Sequence, residues 1–181
     1  LAQNRAYVEQ AAYAAARSAM VHMCPDPDYL GIFRSSWTAA FREGCTSNPG
    51  KWNSAARWAL VSAAPSSNFA LERGECPDAP QAGFELLTGH PDLRNLDTAI
   101  QSRIVYAFEE DNVHVSVGWR RDWVASVSDF LGNGTEITGL PMEATVTFLA
   151  PLTTPIQRLL ANGERSDGTR FRRISATVVL Q

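Results

Sequence analysis

The sequence predicts an α+β fold: a long N-terminal helix packed on an antiparallel sheet of about four strands, with a helical insertion between the two. Three observations predict it. The first twenty-three residues hold eight Ala and neither Gly nor Pro, a composition strongly biased to helix. The stretches that follow keep apolar residues at helical spacing. Near Arg103 the period changes to strict alternation of apolar and polar side chains, which marks strands with one dry and one wet face.

In the opening segment "LAQNRAYVEQAAYAAARSAMVHM", Tyr7, Ala11, Ala14, Ser18 and Val21 fall on one narrow stripe, with Val8, Ala15 and Ala19 beside it. These positions are the expected packing face, and Arg5, Glu9 and Ala16 lie roughly opposite. A face of small residues lets a helix approach its neighbour closely. Pro25 ends the helix, because the residue before a proline is pushed out of helical geometry.

Two further helices are expected, in "YLGIFRSSWTAAFREG" with Gly44 as terminator and in "NPGKWNSAARWALVSAAP" with Trp52, Ala55, Ala56, Trp58, Ala59 and Leu60 carrying the pattern. Residues 66–80 read as a loop. "HPDLRNLDTAIQSRI" reads as a short helix with Leu93, Leu96 and Ile100 on one face. Ile104, Tyr106 and Phe108 then alternate, a turn follows at Glu110-Asp111, and Val113, Val115, Val117 and Trp119 alternate again, which predicts a hairpin. "MEATVTFLA" and "FRRISATVVLQ" supply two more strands, with Ala144, Val146, Phe148 and Ile174, Ala176, Val178, Leu180 on their dry faces. "RDWVASVSDFLGNG" fits helix and strand equally. "PLTTPIQRLLANG" reads as a short helix opened by Thr154-Pro155 and closed by Gly163.

Totals narrow the function classes. At 181 residues the chain has room for one well-cored domain. The net charge is -3 and no more than two of the scattered Arg are adjacent, so nucleic acid is not an expected partner. No apolar run long enough to span a bilayer occurs. The basic residues are fifteen Arg and one Lys, a bias that points to a high-GC, bacterial coding source. Cys24, Cys45 and Cys76 are separated by 21 and 31 residues and match no metal motif. They fit one disulfide plus a leftover thiol in an exported chain, or three reduced cysteines.

The sequence offers little catalytic chemistry. Nucleophile elbows, phosphate-binding loops and H-E-x-x-H are absent. His114 falls on the polar face of its strand, His22 near a helix C-terminus and His90 in a loop. Asp26 with Asp28, and Glu109 to Asp111, read as solvated turn carboxylates. Asn133-Gly134-Thr135 is a formal glycosylation sequon and equally a turn signal. No enzyme, no cofactor and no metal is expected. "GWRRDW" supports an alternative: a secreted or periplasmic module that binds a glycan, small molecule or protein through Trp119, Arg120 and Trp123.

"NRAYVEQAAYAAARSAM" resembles the segment after the membrane helix in TadE-like proteins, the pilin-like proteins of tight-adherence (Flp-type) pilus systems. "HVSVGW", "ATVTFLAPLTTPIQRLLANG" and "RFRRISATVVLQ" resemble that family's later strands and short helix, in the same order. Residues 25–103 resemble nothing in it. The resemblance implies a single pilin-like domain over 1–181, with the helix at 1–23, a helical and loop insertion at 25–103, and the sheet at 104–181. It further implies a non-enzymatic pilus-assembly or minor-pilin-like protein of the bacterial envelope, facing the periplasm or exterior. The partners implied are other pilin-like subunits, met through the N-terminal helix, and the inner membrane, reached through a transmembrane helix upstream of Leu1. Should the exported location favour a disulfide, Cys24–Cys76 is the expected pair, because a helical hairpin would carry Cys45 to its far end.

Overall fold

The structure is a computed structural model, and it describes residues 2–24, 46–66, 98–119, 141–152, 159–164 and 168–180. It is α+β, with the N-terminal helix lying on a four-stranded antiparallel sheet. The described elements are α1 (Ala2–His22), α2 (Pro49–Leu60), α3 (Thr98–Phe108), β1 (Val113–Trp119), β2 (Met142–Pro151), β3 (Gly163–Glu164) and β4 (Arg170–Leu180). The sheet order is β1-β2-β4-β3, so β2 is central.

The alternation in the sequence sets the register. Val113, Phe148 and Ile174 form one cross-strand row; Val115, Val146 and Ala176 the next; then Val117, Ala144 and Val178; then Trp119, Met142 and Leu180. All face the core side. The intervening rows are polar: His114, Thr147 and Ser175, then Ser116, Thr145 and Thr177. Hydroxyls knit this wet face together, with Thr145 and Thr177 at 2.8 Å and Thr147 and Ser175 at 2.9 Å. Because a strand's side-chain period is two, slipping β4 by one residue would place Arg173 and Ser175 in the core. The pattern therefore specifies one pairing.

Helix α1 packs on β2 and β4 on one side and on α2 on another. Its buried residues are Val8, Ala11, Ala12, Ala15, Ala16 and Ala19, all fully enclosed. This corrects the expected face. Ala11 belongs to it, Tyr7, Ala14 and Ser18 are half-buried, and Val21 is 76% exposed. The buried arc is turned by roughly 100° from the expected stripe, at 3.6 residues per turn, and it includes Ala16. Burial between two surfaces needs a wide arc of small residues, and nearly every side of this helix offers Ala. Hydropathy alone could not orient it. Tyr7 lies at the rim, where its hydroxyl accepts from Gln3 Nε2 at 3.2 Å.

Helix α2 begins at Pro49, whose missing N–H costs nothing in a first turn. It buries Trp52, Ala56 and Leu60, spaced four apart along one face. The backbone N–H of Asn48 donates to the His22 carbonyl at 3.0 Å, so α2 starts beside the end of α1 and runs back along it.

The expected strand at Ile104–Phe108 is instead the second half of α3. Ile104, Val105, Tyr106, Ala107 and Phe108 are all buried. A segment enclosed on every side leaves no wet face to select an alternating strand, and its Ile/Tyr/Phe spacing suited either structure. The sheet keeps four strands because the short β3 takes the fourth place. Gly163, expected to close a helix, lies in β3 opposite Phe171. A side chain there would run into the Phe171 ring, which explains a glycine at that close approach. The expected helix at 29–44, the ambiguous segment at 121–134 and most of the 66–80 loop lie outside the described residues.

Candidate functional surface

Among the described residues, a cluster of buried polar groups lies where α3 turns into β1. Asn112 is fully enclosed; its Nδ2 donates to the Tyr106 carbonyl at 2.9 Å and to Glu109 Oε2 at 2.6 Å. Its own carbonyl accepts from Leu149 N–H at 2.9 Å, continuing the β1–β2 ladder into the turn. The Tyr106 hydroxyl donates to the Leu149 carbonyl at 2.6 Å. From α2, Arg57 Nη1 donates to the Phe108 carbonyl at 2.7 Å, a cation on the C-terminal end of α3 where the helix dipole favours one. Burial pushes the Arg57 pKa down, and attraction to Glu110 opposes that shift. Trp58 meets Phe108 edge-on at 4.9 Å.

This cluster joins three elements and has the chemistry of a structural joint. Among the described residues these bonds run to backbone carbonyls or close a turn, and none of them pairs a nucleophile with a base. Among the described residues no group of three or more His, Cys, Asp or Glu side chains converges to hold a metal ion.

His114 is exposed on β1, on the hydroxyl-lined wet face opposite Thr147. His22 is half-buried at the end of α1, and its carbonyl anchors α2. Glu109 serves Asn112, and Asp111 is an exposed turn residue. His90, Asp26, Asp28 and Asn133 lie outside the described residues.

Of the alternative ligand surface, Trp119 is half-buried against the core on the apolar row with Met142 and Leu180. Its indole nitrogen is buried without a hydrogen-bond partner. Arg120 and Trp123 lie outside the described residues.

Cys24 is disulfide-bonded, and Cys45 and Cys76 are outside the described residues. The Cys24 backbone N–H donates to Ser47 Oγ at 2.9 Å. The chain has therefore come back to the end of α1 by Ser47. Sequence reasoning missed this return because it placed Cys45 at the far end of a hairpin.

No helix among the described residues is long and apolar enough to cross a membrane. No family model, no curated protein and no solved structure matches the chain.

Proposed function

We propose that the chain is a non-enzymatic, pilin-like structural protein of the bacterial cell envelope, acting in pilus assembly or as a minor pilin-like subunit. A helix continuing upstream of Leu1 would anchor it in the inner membrane and hold the sheet domain on the periplasmic or outer side. The observation that carries this reading is the placement of α1. It is an Ala-rich rod of 21 residues that opens the chain and lies along β2 and β4 of a sheet assembled from later sequence. A spine of this kind transmits the position of an anchor to the head it carries. The order of motifs, helix first and then the two long strands, supports the same reading.

The test is extraction of the protein expressed from its native gene. An anchored subunit stays with the membrane pellet after alkaline carbonate treatment and is released by detergent. Quantitative release by carbonate, or recovery in culture medium without pilus components, overturns the proposal.

A further inference from the structure

Among the described residues, nothing pairs with the outer edge of β4 beyond Arg173. Asn162 closes the edge just before that point: its N–H donates to the Phe171 carbonyl at 3.1 Å, and its side-chain oxygen accepts from Arg173 N–H at 2.7 Å. In an antiparallel ladder alternate residues direct their backbone groups to opposite sides. Leu152 N–H bonds to the Arg170 carbonyl, so even-numbered β4 residues face β2, while Ser175, Thr177 and Val179 face outward. No described residue pairs with them there.

Two further features mark this edge. Ile174, Ala176, Val178 and Leu180 are only half-buried, whereas Ala144, Val146 and Phe148 on central β2 are fully enclosed. The stretch from Ile174 to Leu180 also carries no charge, proline or glycine, the devices with which sheet edges ordinarily resist pairing. By contrast, the β1 edge holds Gly118, which weakens a strand there.

We infer that this edge pairs with the same edge of a second copy, antiparallel, about a two-fold axis through Thr177. That register is self-complementary. Ile174 comes opposite Leu180 of the partner subunit, and Ala176 opposite Val178 of the partner subunit, so the dry face meets apolar side chains at every position. Ser175, Thr177 and Val179 together exchange about six backbone hydrogen bonds across the axis. The overlap ends flush where Asn162 blocks Arg173. Arg172 and Arg173 of the two copies stand at opposite ends of the joint strand, so like charges are kept apart; parallel pairing would stack them. The interface is isologous and closed, giving a dimer with one continuous sheet. It stands independently of the envelope function proposed above.

The experiment measures the mass in solution of the wild-type chain, Thr177→Pro and Thr177→Cys. The wild type is expected at twice its chain mass of 19.8 kDa. Thr177→Pro, which removes an outward N–H and the exposed hydroxyl contact with Thr145 but keeps every backbone bond to β2, is expected as a folded monomer by circular dichroism. Should that variant fail to fold, Thr177→Cys decides. The axis places residue 177 of the two copies side by side, at a Cα separation of about 5.5 Å, within disulfide reach. Mild oxidation should then yield a covalent dimer, whereas Val179→Cys, offset from its own copy by about four residues, should not exceed the wild type. A monomeric wild type, or a dimer that survives in folded Thr177→Pro with no cross-link at position 177, overturns the inference.

Discussion

The Tyr106 hydroxyl donates to the Leu149 carbonyl across 2.6 Å in the buried interior, tying the last turn of α3 to the end of β2. Asn112 closes the same joint from the turn between α3 and β1. An unsatisfied carbonyl in such a place loses water without replacement, so the joint depends on both side chains.

Tyr106→Phe is expected to lower stability by about 1–2 kcal/mol, the cost of leaving that acceptor unpaired. Asn112→Ala, which deletes both Nδ2 bonds in a fully enclosed site, is expected to cost about 2–3 kcal/mol. Urea denaturation with an unchanged m-value checks both. A loss within experimental error for Asn112→Ala would show that the joint does not hold the helix to the sheet.

The corrected face of α1 makes a second prediction. Ala16→Leu forces a larger side chain into a fully buried site and should cost about 1–3 kcal/mol. Val21→Ser, on a 76% exposed residue, should change stability by no more than about 0.5 kcal/mol. Thermal melts of the pair decide between the two faces, because a helix seated on its Tyr7–Val21 stripe would reverse the ranking.

A third prediction concerns the disulfide of Cys24. Ser47 is hydrogen-bonded to Cys24, and Asn48 to His22. Cys45 is two residues from that contact, a reach of about 7 Å at most from the Ser47 Cα. Non-reducing peptide mapping should therefore link Cys24 to Cys45 and leave Cys76 as the odd thiol. A Cys24–Cys76 peptide would show instead that the sequence-based expectation holds.

Much of this architecture was legible before any coordinates. The alternation of Val113 to Trp119, Ala144 to Phe148 and Ile174 to Leu180 put the correct side chains on the core rows, because a strand with one wet face writes its period into the sequence. Ile104 to Phe108 was misread because total burial erases that period. The helix α1 was recognised from its Ala content, but Ala carries too little hydropathy to say which side is covered. The return of the chain at Ser47 rests on hydrogen bonds between residues more than twenty positions apart, which no local pattern records. The joint around Asn112 was missed for a similar reason. Its partners are mostly backbone carbonyls, and the one available signal was a lone Asn directly before an apolar strand.

The most direct test of the envelope reading is the reading frame immediately ahead of Leu1 in the native gene. The account predicts an apolar run of about twenty residues that continues into α1 without a proline or a polar break. A start codon there, or a hydrophilic stretch, would contradict it.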